Sequence, residues 1–446
     1  MEFDWTPVEA EAVDLLQQLL RIDTTNAPDV APNETAAAEF LATLLEREGL
    51  SPEVLESKPG KGNVVCRIRG TGEKAPVLLS GHTDVVPADP AKWTHPPFAA
   101  EIHDGFIWGR GAIDMKNMVA MEVIAMVLAK RLDLPLKRDL VFAGVADEEA
   151  GCEWGSLWLA RNHPDKVKAE YAISEIGGFT MHVAGQRFYP VQVAEKGMCW
   201  LTITAQGTSG HGSLPNRDNP IAAIGRAANI LATRRLPRHN TPVVERYLGR
   251  LADSSPMPNK LVLKALSTPL CDHVLDHVFP EPSLAAVFDA SLHNTANPTV
   301  VQGGLKVNQV PDSATLRVDG RLLPGFTGAD LVQEIEALIG PGYSIVIDQE
   351  MPACSTDGED PIGTVIGDIL QEHDPEAVVL QTMIPGFTDA KAWSMLGMKC
   401  WGFSPVELPE GVDFAAMFHG VDERIPVDGF RWGTRALFSL IQRFCC

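Results

Sequence analysis

Apolar positions along residues 7–21 recur at helical spacing. Val8, Val13, Leu15, Leu16, Leu19 and Leu20 fall on one stripe and predict an amphipathic helix. Residues 34–49 predict a second helix, with Gly49 as its stop. Short apolar runs then follow at 63–68, 76–80, 140–146 and 171–174, each of buried-strand length. A helix over about 115–130 separates the second run from the third. Such runs alternating with helices predict a mostly parallel sheet covered on both faces.

The texture changes near Glu195-Lys196-Gly197. Residues 199–205 alternate like a half-exposed strand, and a Gly/Ser-rich turn and a helix over 220–234 follow. Strands near 299–305 and 314–322, a helix near 329–339 and a strand near 343–349 complete a β-α-β-β-α-β pattern. Residues 235–296, rich in proline, are expected to be irregular. Apolar segments at 377–380 and 399–403 return to the first type of strand. The pattern thus predicts an α/β chain of two domains. The larger, with a mostly parallel sheet, spans 1–194 and 353–446. A smaller α+β, ferredoxin-like domain is inserted at 195–352.

A chain of 446 residues exceeds the ~250–300 residues that one hydrophobic core sustains. A net charge of −21 argues against a nucleic-acid partner and an anionic membrane surface. With no apolar stretch of membrane-spanning length, no membrane association is expected. The eight cysteines are scattered without a C-x-x-C pair, which excludes a zinc ribbon and suits a reducing compartment. The start, Met1-Glu2-Phe3-Asp4-Trp5, lacks the basic and apolar regions of a signal peptide, so a cytoplasmic location is expected.

Three apolar runs end in metal-capable side chains. Run 76–80 leads to His82 and Asp84, run 140–146 to Asp147, Glu148 and Glu149, and run 171–174 to Glu175. In open α/β sheets, sites form outside the carboxyl ends of the strands, so these residues are placed to converge. Taken singly, each has a plain structural explanation. His82 and Asp84 suit a surface turn, Asp114 an N-cap, and residues 147–149 a solvated acidic turn. Taken together, His82, Asp114, Glu149, Glu175 and His419 supply two imidazoles and three carboxylates. That set suffices for two metal sites sharing Asp114, with a water position open. Two ions roughly 3.5–4 Å apart would lower the pKa of water held between them to about 7. A bound ion would also hold one acid of the 147–149 cluster ionised and leave another free as general base. Asp84 could hold the second ring nitrogen of His82. A serine or cysteine hydrolase is not supported, because no G-x-S-x-G elbow is present and no cysteine lies in a recognisable nucleophile motif. A two-metal phosphatase shares the carboxylate logic.

Five stretches resemble, in order and spacing, the motifs of the M20 metallopeptidase family. They are Ser80-Gly81-His82-Thr83-Asp84-Val85-Val86-Pro87, Gly109-Arg110-Gly111-Ala112-Ile113-Asp114-Met115-Lys116, Ala146-Asp147-Glu148-Glu149-Ala150-Gly151, Ser174-Glu175-Ile176-Gly177-Gly178 and the closing His419. The family includes glutamate carboxypeptidase, aminoacylase and succinyl-diaminopimelate desuccinylase, and the resemblance runs across nearly the whole chain. It implies that His82 and Glu175 hold one zinc, Glu149 and His419 the other, and Asp114 both. Asp84 would orient His82, and Glu148 would act as general base and then as acid to the leaving amine. A cis peptide at Asp114–Met115 is also implied.

The inserted domain resembles the family's lid and dimerisation domain through Gly207-Thr208-Ser209-Gly210-His211-Gly212-Ser213 and Asn219-Pro220-Ile221. This implies a homodimer through the lid, in which His211 reaches the partner's site and stabilises the oxyanion. It also argues against the phosphatase. Asn297 resembles a lid asparagine that touches substrate. Gly386-Phe387-Thr388-Asp389 resembles a substrate-binding loop, with Gly386 and Thr388 as contacts. The sequence departs from the family pattern at Asn117-Met118 and Ile176, where glycine is frequent; neither change removes a ligand.

Trp93-Thr94-His95-Pro96-Pro97-Phe98 and the long 235–296 segment resemble the carboxypeptidase S and N-acyl-amino-acid hydrolase branch. Glu at 175 favours, by the same resemblance, an acylated nitrogen and a free carboxylate. The expected activity is hydrolysis of N-acyl amino acids or small peptides. The expected cofactor is two divalent ions, zinc by default with cobalt or manganese as alternatives. A dipeptidase or carboxypeptidase of the same family remains an alternative. So does a non-catalytic binding relative, which predicts a missing ligand or base, and none is missing.

Overall fold

A computed structural model describes residues 3–183, 186–279, 282–412 and 414–446. The chain forms two compact units, one of residues 1–193, 356–381 and 388–446, the other of 194–355 and 382–387. Residues 382–387, at the end of the strand Val378–Ile384, thus group with the second unit, whereas the hydrophobic pattern assigned all of 353–446 to the first.

The sheet of the first unit runs Glu53–Lys58, Lys61–Ile68, Leu140–Val145, Val77–His82, Tyr171–Ser174, Lys399–Gly402, with Gln186–Glu195 beyond. The four strands from Leu140–Val145 to Lys399–Gly402 are mutually parallel. Three of them, Val77–His82, Leu140–Val145 and Tyr171–Ser174, are buried along their whole length, the signature of a sheet covered on both faces. The helix Lys116–Arg131 packs against two of these strands and against helices Thr6–Arg21 and Val427–Cys445. Its residues 116–129 are all buried, so it is a core helix rather than an amphipathic one.

Register carries the chemistry. His82 lies opposite Val145, so His82 and the Asp147-Glu148-Glu149 turn leave the sheet side by side. Leu79 lies opposite Ile173, which brings Glu175 to the same edge.

The second unit holds a four-stranded antiparallel sheet in the order Thr295–Gly303, Ser313–Leu322, Gly197–Gln206, Tyr343–Met351. Helices Pro220–Thr233 and Gly328–Ile339 cover one face around Leu201, Ile203, Ile224, Leu316, Leu331 and Ile335. This is the β-α-β-β-α-β arrangement that the pattern predicts. The expectation of an irregular 235–296 segment is corrected. Four helices lie there: Pro242–Ser254, Asn259–Ala265, Cys271–His277 and Pro282–Leu292. Pro242 occupies a helix first turn, where the missing N–H costs nothing, so proline here starts structure rather than preventing it. Among the described residues, no helix is long and apolar enough to cross a membrane.

Candidate metal centre

His82 closes a buried strand and is itself fully buried. Its Nδ1 faces the main-chain carbonyl of Asp84 at 2.9 Å and the Asp84 carboxylate at 3.5 Å. The carbonyl is the nearer of the two Asp84 groups, and the Asp84 side chain also stands beside the ring, within reach of the same nitrogen. Nε2 is left to face Asp114 Oδ1 at 3.2 Å, Glu175 Oε2 at 3.7 Å and Glu148 Oε2 at 3.9 Å. The other oxygen of Asp114 lies 3.2 Å from His419 Nε2, which is 3.0 Å from Glu149 Oε2. One ligand atom from each of His82, Asp114 and Glu175 falls within 4.8 Å of the others, and the same holds for Asp114, Glu149 and His419. Five residues scattered over 338 positions of chain, from His82 to His419, therefore meet around Asp114.

The backbone holds this cluster firmly. The Asp84 carboxylate accepts the main-chain N–H of Glu148 and of Glu149, each at 3.1 Å. Glu423, fully buried, accepts the N–H groups of Gly111, Ile113 and Asp114 at 3.1, 2.8 and 3.2 Å. It also pairs with the Arg110 guanidinium at 2.5 Å. The Asp114–Met115 peptide is cis. Asp147 and His419 both adopt left-handed backbone conformations, φ 67° and 56°, which cost energy outside glycine and cluster at functional sites.

The electrostatics test whether metal ions suit the cluster. Burial pushes the Glu175 carboxyl up to about 8, and it raises Glu148 and Glu149 as well. Hydrogen bonds to Asp114 and Glu149 push His419 up to about 10. Burial opposes charge on His82, yet Glu175, Asp114 and Asp84 hold the ring well above its ordinary value. Asp114, despite its own burial, is held low by His419 and His82. Three carboxyls, Glu148, Glu149 and Glu175, thus hold their protons above the ordinary carboxylate range, in a place short of the positive charge that divalent cations would supply. The nitrogen and oxygen donor set fits zinc, cobalt or manganese.

The remaining predicted residues lie in different settings. His211 and Asn297 belong to the second unit, and both are exposed. The His211 Nδ1 lies 2.7 Å from Ser213 Oγ. Asn297 sits opposite Asp319 in the strand register and at the wall of a cavity of about 420 Å³ within that unit. Gly386, half-buried, also falls in the second unit. Thr388 falls in the first and is buried, and its hydroxyl accepts the N–H of Ala390 at 3.1 Å. Sequence reasoning missed Glu423, although it lies four residues after His419. Its role depends on a loop some 310 residues earlier in the chain, and no local pattern reports such a partner.

The sequence model of Peptidase family M20/M25/M40 matches residues 78–443. The chain is 26% identical over 458 residues to N-fatty-acyl-amino acid synthase/hydrolase PM20D1 of Bos taurus, covering 96% of this chain and 87% of that protein. It is 27% identical over 446 residues to Aminoacylase-1 of Sus scrofa, covering 97% of this chain and 95% of that one. Among solved structures, the M20 family metallo-carboxypeptidase Sso-CP2 of Sulfolobus solfataricus superposes with a TM-score of 0.67 at 17% identity. The superposition covers 97% of this chain and 98% of the other.

Proposed function

Because this chain belongs to the M20/M25/M40 peptidase family of amide- and peptide-bond metallohydrolases, we propose that it cleaves N-acyl amino acids or small peptides carrying a free carboxylate. The observation that carries this reading is Asp114, whose two oxygens each lie 3.2 Å from a different imidazole. His82 and Glu175 would hold one divalent ion and Glu149 and His419 the other, with Asp114 shared between them. Zinc is the default, and cobalt or manganese suits the same donors. Bound there, the ions supply Lewis-acid polarisation of the scissile carbonyl and activation of the attacking water.

The protein's own groups do the rest. Glu148 is not assigned as a ligand in this arrangement. Its carboxylate, whose proton affinity burial raises, takes a proton from water as the water attacks the amide carbon and then delivers it to the departing nitrogen. The products are a carboxylic acid and an amine. Asp84 fixes the main chain of Glu148 so that this carboxyl keeps its aim.

A homodimer through the second unit is part of the proposal. Leu214, Val301, Leu305 and Val307 are exposed there, an uncovered apolar set that a second copy would bury. The exposed His211 is then free to donate to the oxyanion of the partner's reaction. The names of the cow and pig relatives, an N-fatty-acyl-amino acid hydrolase and an aminoacylase, support an acylated amino acid as substrate.

The test is release of free amine from short-chain and long-chain N-acyl amino acids and from dipeptides, with and without a chelator. Chelator-sensitive release from N-acyl amino acids is the expected result. Release from dipeptides alone would replace the reading with a dipeptidase. No release from any of them after zinc is added back would overturn it in favour of a binding module.

A further inference from the structure

Behind the ligand cluster, Lys61 is buried with only 2% of its surface exposed. Its ammonium lies 2.5 Å from Glu34 Oε1 and 2.9 Å from Asp147 Oδ1, and both acids are buried too. Burial works against the charge, but Glu34 and Asp147 hold the ammonium above its ordinary value, so it stays charged. As a source of stability alone, this is a poor choice. Well-packed apolar side chains commonly replace buried ion clusters at no loss.

The position of Asp147 supplies another reason. Asp147 immediately precedes Glu148 and Glu149, in a left-handed conformation that its side chain must help to hold. Beyond Lys61, Oδ1 accepts from Asn26 Nδ2 at 3.3 Å, and Oδ2 accepts the N–H of Trp154 at 3.1 Å. The same Asn26 amide lies 2.8 Å from Asp84 Oδ2. Asp84 in turn holds the N–H groups of Glu148 and Glu149. The turn is therefore clamped from two sides. Asp147 anchors its start, Asp84 anchors its next two amides, and Asn26 ties the clamps together.

We infer that Lys61 is a positioning residue for the reaction: through Asp147 and Asn26 it fixes the turn that aims Glu148 and Glu149 at the ligand cluster. Lys61 touches neither substrate nor ion. The inference rests on the reading of Glu148 as general base. Misplacing a reacting group by about 1 Å costs on the order of 10²-fold in rate, so a loosened turn has a measurable price.

The experiment compares the zinc-loaded protein with Lys61→Met, which keeps the unbranched stem of the side chain, shorter by one atom, and removes its charge. Four quantities are read: kcat and KM on the amide substrate that wild type cleaves best, zinc per chain, and amide hydrogen exchange of segment 147–155 in metal-free protein. The expected result is a kcat lower by roughly 10–100-fold with KM within about twofold. Zinc content is unchanged and exchange in 147–155 is faster. Lys61→Met leaves two buried acids unpaired and can fail to fold, so Asn26→Leu, at a half-buried position, is the second variant, with the same signature expected. A folded Lys61→Met with wild-type kcat and wild-type exchange overturns the inference. So does an unfolded Lys61→Met accompanied by an Asn26→Leu that behaves as wild type. Glu148→Gln separates the two readings. If it remains active, the general-base role fails, while the exchange measurement still decides whether Lys61 holds the turn.

Discussion

Asp84 does not simply face the ring of His82; its carboxylate accepts the main-chain N–H of Glu148 at 3.1 Å, and that of Glu149 at the same distance. One side chain, two residues beyond a metal-capable histidine, thus ties the end of one parallel strand to the turn after its neighbour. Asp84→Asn retains the shape but offers a single acceptor oxygen to two buried N–H donors. An unsatisfied buried donor costs about 1–3 kcal/mol, and the loosened turn should lower kcat by roughly 10–100-fold. Thermal melting and kcat measured on the same preparation check both effects. A wild-type kcat would contradict the positioning role.

Glu423 does for Asp114 what Asp84 does for Glu148. Replacing it by alanine strands the buried Arg110 guanidinium and three main-chain N–H groups. Removing one partner of a buried ion pair costs about 3–5 kcal/mol. Glu423→Ala should therefore melt well below wild type and bind zinc more weakly, because the loop that presents Asp114 loses its anchor. Chelator competition measures the second effect. Undiminished melting temperature and zinc affinity would show that the loop needs no such anchor.

Glu122 sits in the middle of the buried helix Lys116–Arg131, fully buried, and neither of its oxygens makes a well-formed hydrogen bond. Burial raises its pKa well above the ordinary carboxylate value, and the nearby Asp389 adds to the effect. The folded state thus holds a proton that the unfolded chain releases near its ordinary value. Stability from this group is fully present below about pH 4.5 and is lost as pH rises toward the folded value, with a slope of at most about 1.4 kcal/mol per pH unit. Glu122→Met should remove this slope and stabilise the protein at neutral pH. Denaturant unfolding at a series of pH values checks it. A variant with the same pH dependence as wild type would show that Glu122 titrates normally.

His211→Ala tests the cross-subunit proposal. Loss of one oxyanion donor costs about 10²–10³ in kcat, and zinc content should stay unchanged. Sedimentation at assay concentration should show a dimer for both proteins. A monomeric wild type with full activity would remove both the dimer and the role of His211.

The acids at the strand ends were legible in the sequence for a physical reason. Parallel strands bring their carboxyl ends to one edge, so the residues after 80, 146 and 174 had to emerge near one another. The register of His82 against Val145 is the structural form of that argument. The four helices at 242–292 were not legible. Two of them are seven residues long, too short for a readable period, and proline opens Pro242–Ser254. Thr388 shows a different limit. A loop motif gives residue identity but not burial, and here the buried hydroxyl accepts the N–H of Ala390. The Asp84 carboxylate was placed near His82 by spacing, but only the neighbouring strand reveals that its stronger bonds go to Glu148 and Glu149.

The measurement that tests the central claim most directly is zinc per chain in wild type and in Asp114→Ala. If Asp114 bridges two ions, wild type holds close to two equivalents and Asp114→Ala loses both, while Glu175→Ala, which removes a ligand from one side only, retains about one. Two equivalents retained in Asp114→Ala, or no zinc bound by wild type even after it is supplied, would contradict the shared-carboxylate centre on which the account rests.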